Sequence, residues 1–165
     1  MHSSARPCPS PQPGNPALDP PAGEAVWHLP RHGRSVGRGR AALRAQAAAW
    51  GLPEDTAETA VLLVSELVTN AVRHSRVRGR RIEIRCELRE GALRVEVSDA
   101  GDGVPAVRAA GADDESGRGL ALVAALAADW GVLPRPHGIG KTVWFACRLP
   151  KPPPLPPLPP PVSGR

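Results

Sequence analysis

The sequence predicts an α+β fold, a two-layer α/β sandwich in which a mixed, mostly antiparallel sheet carries helices on one face. Apolar and polar residues alternate over residues 82–98 and 142–149, as they do in strands with one buried face. Over residues 35–75 and 118–129, apolar residues recur at helical spacing instead. Strands and helices that each have one apolar face bury those faces by packing against one another in two layers.

Proline marks the limits of the folding unit. The chain has 165 residues and 21 prolines, of which seven lie in residues 1–24 and nine in residues 150–165. We therefore expect residues 1–24 to be a disordered tail, residues 25–149 a single domain, and residues 150–165 a largely polyproline II tail. The last segment is either a stiff solvated tail or a ligand for an aromatic-lined groove of a partner.

Composition indicates a cytoplasmic protein without a membrane or nucleic-acid partner. No apolar run approaches the roughly 20 residues of a membrane span, and residues 1–24 contain no signal-peptide core. Three cysteines without Cys-x-x-Cys spacing argue against a zinc site and a disulfide framework. The net charge of +5 comes from scattered arginines, and with no Tyr and one Phe the chain has no aromatic platform for stacking bases.

Two helices are predicted in the first half of the domain. Ser35 is suited to cap a helix that runs to Trp50 and stops at Gly51. A second helix is predicted over about residues 54–75, because Pro53 suits a first helical turn and acidic residues follow it. Its apolar seam consists of Val61, Val64, Val68, Ala71 and Val72.

The period of the pattern then changes from helical to alternating. A hairpin is predicted, with apolar residues at alternate positions over residues 82–88 and 93–97 on either side of a turn at Glu90-Gly91. The remaining predicted elements are a loop at 104–117, a helix at 118–129, and strands at 130–133 and 142–149.

Three polar clusters interrupt these patterns, the first on the second helix. Glu66, Asn70 and His74 are spaced by four, with Arg73 beside them, so they form one polar stripe roughly opposite the apolar seam. The stripe is either a solvated helix face or a site, and Asn is a poor residue for a helix interior. A carboxylate and an amide oxygen on one face could position a hydroxyl and a Mg²⁺ ion, which prefers oxygen ligands.

The second cluster, Asp99-Ala-Gly101-Asp-Gly103, follows the end of the hairpin. It is either an ordinary strand end with turn residues or a site in which Asp99 accepts hydrogen bonds from an amino group, such as the exocyclic amine of adenine. The two glycines would let the backbone approach a flat ring.

The third cluster, Glu115-Ser116-Gly117-Arg118-Gly119-Leu120, opens the third predicted helix. Free N–H groups at the N-terminus of a helix bind phosphate, and glycines let the backbone come near it. This cluster is therefore a candidate phosphate site.

Two better-known phosphate motifs are excluded. The G-x-G-x-x-G fingerprint of dinucleotide-binding folds is incomplete, because Ala106 and Leu122 stand where a third glycine is required. Gly140-Lys141-Thr142 resembles the end of a P-loop, but Arg135 occupies the position of the first glycine and a strand pattern follows instead of a helix.

Taken in order, the clusters resemble the GHKL ATPase superfamily. The matching motifs are Glu66-x-x-x-Asn70-Ala71, Asp99-x-Gly101-x-Gly103, Gly117-x-Gly119-Leu120 and Gly140-Lys141-Thr142. The stretches VSELVTNAVRHS and GKTVWF resemble the branch of anti-sigma-factor serine kinases and related ATP-binding regulators of actinobacteria. The resemblance covers about residues 25–149 and implies an α/β sandwich that holds nucleotide between its helices and a lid, here about residues 104–117. A sensor histidine kinase is not expected, since no phospho-acceptor helix pair precedes the domain.

The resemblance implies a role for each motif. Asn70 would bind a Mg²⁺ ion that bridges the phosphates of ATP, and Glu66 would be the catalytic base that orients the acceptor hydroxyl. Asp99, helped by Thr142, would receive the adenine amine. The residues implied to bind ATP are Asn70, Arg73, His74, Asp99, Gly101, Gly103, Gly117, Arg118, Gly119, Leu120 and Thr142. Lys141 adds a positive charge near the expected adenine pocket, and the sequence does not explain it.

Three functions remain open on the sequence. The first is an ATP- and Mg²⁺-dependent protein serine/threonine kinase, a homodimer that binds a sigma factor and phosphorylates a serine of an anti-sigma-factor antagonist. The second is a non-catalytic binding module, in which ATP occupancy sets the lid and thereby the interaction with a transcription-factor partner. In the third, the polyproline tail recruits a groove-bearing partner.

Overall fold

The computed structural model describes residues 23–74, 79–100, 115–135 and 140–151. Within these ranges the chain forms five strands and three helices. Their bounds are Glu24–Pro30 (β1), Arg34–Ala49 (α1), Glu54–His74 (α2), Arg81–Arg89 (β2), Ala92–Asp99 (β3), Glu115–Leu126 (α3), Asp129–Pro134 (β4) and Lys141–Arg148 (β5). Most of each predicted tail and of the predicted lid lies outside the described residues.

The strands form one sheet in the order β1-β2-β3-β5-β4, and every described pair of neighbours is antiparallel. Strands β2 and β3 are the predicted hairpin. Its turn residues Glu90 and Gly91 have φ of 52° and 72°, as a two-residue type I′ turn requires. Strand β5 lies between β3 and β4, so it brings the Gly140 motif directly beside the end of β3.

All three helices contribute to a core on one face of the sheet, which confirms the predicted α+β sandwich. Ile84 of β2 and Phe145 of β5 are fully buried there. Leu43 of α1, Val64 of α2 and Val123 of α3 pack into the same core and are also fully buried. Burying a large apolar side chain of this kind stabilises the fold by about 1.5–3 kcal/mol. None of the described helices is long and apolar enough to cross a membrane.

The start of α1 differs from the prediction, and its end agrees with it. Gly33 is the N-cap of α1, so Ser35 as the cap is wrong. Ser35 lies in the first turn, fully buried, where its hydroxyl donates a hydrogen bond to the carbonyl oxygen of Pro30. Gly51 ends the helix as predicted: its φ is +65°, and its N–H donates to the carbonyl oxygen of Ala48 at 3.0 Å.

Helix α3 is displaced toward the N-terminus relative to the predicted range 118–129. It ends at Leu126 because the chain then pairs with β5: the Ala128 N–H donates to the carbonyl oxygen of Ala146 at 2.8 Å. Asp129 begins β4 opposite the same residue. The helix also begins earlier, at Glu115, so the glycines of the third motif lie within its first turns.

Candidate functional site

The polar stripe of α2 lies at the edge of the helix layer. The apolar seam of this helix is buried in the core, with Val61, Val64 and Val68 at most 3% exposed. On the other side, Glu66 and Asn70 are half-buried. The stripe continues to Arg73 and His74, which are exposed in the last turn of the helix. Glu66 and Asn70 are therefore held by a rigid element at the border between core and solvent.

Gly119 of α3 lies against the two half-buried members of that stripe. A Cβ atom added to Gly119 would lie 2.9 Å from Glu66 Oε2 and 3.3 Å from Asn70 Nδ2. Any side chain at position 119 would therefore push the Glu66 carboxylate away. The structure thus brings together predicted residues from two different motifs, a carboxylate and an amide beside the N-terminal part of α3.

The other members of the third motif take different positions on α3. Gly117 lies in the N-terminal part of the helix, where backbone N–H groups lack partners within the helix. Arg118 is exposed beside it. Leu120 points into the core and is 7% exposed, so its predicted contact with nucleotide could be made only through its backbone. The positive end of the α3 dipole lies at the N-terminal part of this helix and favours an anion there.

Asp99 ends β3 on the helix-covered face of the sheet, where it is 3% exposed. It is in phase with the buried Val97, and residues two apart on a strand point to the same face. Directly opposite it in the register stands Lys141, the first residue of β5, which is 8% exposed. Lys141 Nζ lies 3.6 Å from Asp99 Oδ2, so the two charges form a buried ion pair.

Gly140 allows the two strands to meet so closely at this end. Its φ is +95°, and a Cβ atom there would overlap the backbone carbonyl of Asp99. No residue with a side chain could occupy the position without moving one strand. The glycine of the fourth motif therefore places Lys141 beside Asp99.

Thr142 does not stand opposite Asp99 in the register, and its implied role at the adenine stays a prediction. It stands opposite Ser98, and the two hydroxyl oxygens share a hydrogen bond of 2.7 Å. Because neighbouring residues on a strand point to opposite faces, this pair lies on the face away from the helices. Gly101 and Gly103, the other residues predicted to shape this pocket, lie outside the described residues.

Lys141 is a candidate functional residue to which the sequence motifs assign no role. A signal for it was present, since Lys141 is in phase with Val143, Phe145 and Cys147 on the apolar face of β5. A lysine in such a position needs a buried partner, because an unpaired charge in a core is strongly unfavourable.

The buried thiols of Cys86 and Cys147 are not among the candidate site residues. Burial raises the pKa of Cys86 to about 12 and that of Cys147 to about 11, so both are neutral at physiological pH and unsuited to act as nucleophiles. The described residues also contain no group of three or more His, Cys, Asp or Glu side chains able to hold a metal ion. A Mg²⁺ ion here would need oxygen atoms from a ligand or from water beside those of the protein.

Comparison with known proteins gives a family match. Residues 29–146 match the family model described as a histidine kinase-like ATPase domain. No curated protein gave a significant sequence match.

The chain is similar to the solved structure of the RsbU and RsbW domains of Rv1364c from Mycobacterium tuberculosis, with a TM-score of 0.61. The two share 25% sequence identity over 77% of this chain and 32% of that one. The histidine kinase domain of a blue-light-activated histidine kinase from Erythrobacter litoralis shows 28% identity over 71% of this chain and 60% of that one, with a TM-score of 0.48. A second structure of that kinase shows 34% identity over 59% of this chain and 32% of that one, with a TM-score of 0.47. The chain thus spans less than two thirds of each of these structures.

Proposed function

From the premise that this chain belongs to the histidine kinase-like ATPase domain family, we propose that it is an ATP- and Mg²⁺-binding regulator with protein serine/threonine kinase activity. The observation that carries the proposal is the contact of Gly119 with Glu66 and Asn70. It joins the two motifs that the reaction would need, a carboxylate–amide pair and the N-terminal part of a helix.

The proposed phosphate site lies at the N-terminal part of α3. Backbone N–H groups and the dipole of this helix favour the negative phosphates, with Arg118 exposed beside them. Arg73 and His74, exposed at the end of α2, are candidates for further phosphate contacts. At position 119 even a methyl group would not fit without displacing Glu66, so the glycine keeps α3 close to the Glu66 and Asn70 side chains.

Asn70 fits the proposed role of magnesium ligand, because its side chain is half-buried beside Gly119 and contains an amide oxygen. When it is bound, the ion neutralises charge on the phosphate oxygens. The residues of this chain hold the phosphates and the ion in place, and positioning is most of what phosphoryl transfer requires from a protein.

Glu66 is the proposed catalytic base. Its carboxylate would accept the proton of an acceptor serine hydroxyl while the serine oxygen bonds to the γ-phosphorus and the bond from that phosphorus to ADP breaks. The side chain is half-buried next to Gly119, where it can reach solvent and therefore a docked protein. We propose that the acceptor belongs to an anti-sigma-factor antagonist and that the chain also binds a sigma factor, as a homodimer. The likeness to a structure that contains an RsbW domain supports this choice.

The substitution Glu66→Gln tests the proposed catalytic role, because it keeps the size of the side chain and removes its basicity. We expect the variant to bind ATP with an affinity within about threefold of the wild type. We also expect transfer of ³²P from γ-labelled ATP to an antagonist protein of the same organism to fall at least 100-fold, the lower range of general-base contributions.

The control acceptor is the same antagonist with its serine replaced by alanine. Transfer by Glu66→Gln at the wild-type rate would contradict the role of Glu66. Tight ATP binding by the wild type without transfer to any antagonist would instead favour the non-catalytic binding module.

A further inference from the structure

We propose that a groove on the open face of the sheet, the face away from the helices, binds the Pro-rich segment of residues 152–162 from a second copy of this chain. The inference goes beyond the proposed function, since it involves none of the candidate nucleotide-site residues. It assigns a role to Trp144 and to the polyproline tail, neither of which takes part in the proposed reaction.

The groove has a volume of about 670 Å³ and lies across β2, β3, β5 and β4. Its apolar parts include the ring of Trp144 and the methyl groups of Ala92 and Ala146. Four acidic side chains and three arginines also line it, so their charges nearly cancel. An uncharged ligand with apolar side chains therefore suits this groove better than an ion does.

The half-buried Trp144 ring is held in place by its neighbours. The guanidinium carbon of Arg94 lies 3.8 Å from the ring centroid, and Arg94 Nε donates to Glu96 Oε1 at 2.9 Å. On β4, a Cβ atom at Gly131 would lie 2.8 Å from Trp144 Nε1, so the missing side chain leaves room for the ring. The stacked ring and guanidinium are thus already ordered, and they lose little conformational entropy when a ligand binds.

The segment of residues 152–162 has the chemistry that such a groove can bind. Its eleven residues are eight prolines, two leucines and one valine, without any charge. Proline has no N–H, and the polyproline II conformation expected from the sequence leaves the carbonyl oxygens unpaired. Arg94 and Arg148 of the groove have N–H donors for these oxygens. Pro-rich segments dock in aromatic-lined grooves because they are already extended before they bind.

The tail begins beside the groove, but its sequence disfavours a reversal into the groove of the same molecule. The N–H of Leu149, a residue that lines the groove, donates to the carbonyl oxygen of Gly91 at 2.9 Å. Only Pro150 and Lys151 separate it from the Pro-rich segment. Leu149 and Lys151 each precede a proline and therefore favour extended backbone, and the φ of Pro150 is fixed by its ring. A tight turn at these residues is unfavourable, so the tail leads toward a second molecule.

The length of the segment is sufficient for this exchange. In polyproline II, residues 152–162 span about 34 Å. The groove follows β5 from Trp144 to Arg148, a distance of about 13 Å along a strand. In a pair related by a twofold axis, each copy supplies one tail and one groove, so the two contacts form together.

Sedimentation equilibrium of the full chain over a range of concentrations tests the inference. We expect the wild type to form a dimer. The variant Pro156→Ser/Pro157→Ser/Pro159→Ser/Pro160→Ser, here called the serine variant, keeps the length of the tail and should raise the Kd of the dimer at least tenfold. Trp144→Ala should raise it by a similar factor, because buried aromatic side chains are typical hot spots of an interface.

A synthetic fluorescein-labelled peptide of residues 150–163 tests the groove directly. Fluorescence anisotropy should show that it binds the serine variant, whose groove is free of its own tails. The peptide should not bind the serine variant that also contains Trp144→Ala.

Two further variants serve as controls. Val26→Ala removes apolar surface from the same sheet face outside the groove, at a residue that is 39% exposed, and should leave the dimer unchanged. Ala146→Gln fills the groove without adding a charge, and it gives the answer if thermal unfolding shows that Trp144→Ala is not folded. The serine variant and Trp144→Ala should both bind ATP as the wild type does.

A wild type that stays monomeric, or a dimer that neither the serine variant nor Trp144→Ala weakens, would overturn the inference and leave the proposed nucleotide site standing. A monomeric wild type whose serine variant binds the peptide would show that the tail occupies its own groove, which would overturn the exchange between copies. Failure of the folded wild type to bind ATP would contradict the proposed function alone.

Discussion

The two halves of the candidate site are built in opposite ways. Where α2 meets α3, Gly119 has no side chain, and the polar groups of Glu66 and Asn70 pack directly against it. At the ends of β3 and β5, the space is filled by the buried ion pair of Asp99 and Lys141. The first half therefore depends on close packing of two helices, and the second on the register of two strands. A substitution in one half should therefore act through helix packing, and a substitution in the other through the loss of a buried charge partner.

The largest effect is expected at the strand ends. Asp99→Ala leaves the Lys141 ammonium buried without its carboxylate, and it should lower the free energy of unfolding by about 3–5 kcal/mol. The double variant Asp99→Ala/Lys141→Met removes both charges and should recover most of that loss, because an apolar pair can replace a buried ion pair with little change. Neither variant should bind nucleotide with wild-type affinity. Urea unfolding measures the first expectation, and a double variant as unstable as the single one would show that the ion pair is not the cause.

A substitution where α2 contacts α3 should change nucleotide affinity more than stability. Gly119→Ala places a methyl group against Glu66, whose carboxylate lies at the end of a flexible side chain and can move, so we expect stability to change by less than about 1 kcal/mol. Nucleotide affinity should nevertheless fall about tenfold, since the methyl group displaces the Glu66 carboxylate and crowds Asn70, the proposed magnesium ligand.

Gly37→Ala is the matched control for that substitution. Gly37 is exposed in the first turn of α1 with nothing near its Cβ position, so alanine there should stabilise the chain by up to about 0.5–1 kcal/mol and leave nucleotide affinity unchanged. Equal binding losses in both variants would contradict the special position of Gly119.

The sequence predicted the parts of this arrangement that depend on local periodicity. The helix of residues 54–74, the hairpin and the stop at Gly51 follow from spacing within one or two elements. Ser35 failed as a cap because its hydroxyl bonds to the carbonyl of Pro30, in the strand before it, which spacing along the helix does not show.

The missed features depend on pairing between distant segments. The end of α3 moved because the residues after Leu126 pair with β5. The partner of Asp99 could not be assigned without the register of β3 against β5, which sets Lys141 and not Thr142 opposite it. The alternation of β5 also places Thr142 on the face of Trp144, away from the core.

A separate expectation concerns the core beneath both halves of the site at high pH. The pKa values of Cys86 and Cys147 are raised from 9.0 in the folded chain, so the unfolded chain loses these protons first as pH rises. Their contribution to stability is complete below about pH 9 and is lost progressively toward pH 11–12. Cys86→Ala/Cys147→Ala should therefore lose less stability than the wild type between pH 8 and pH 10.5, as measured by urea unfolding at each pH. Equal losses of stability in the wild type and the double variant over this pH range would contradict burial of the thiols.

The most direct test of the account is a titration of the full chain with ATP in the presence and absence of Mg²⁺, repeated with Asn70→Ala. We predict saturable binding that Mg²⁺ strengthens. The Asn70→Ala variant should remain folded but gain little affinity from the ion, because Asn70 beside Gly119 is its proposed ligand. Absence of ATP binding to the folded wild type, with or without Mg²⁺, would contradict the account.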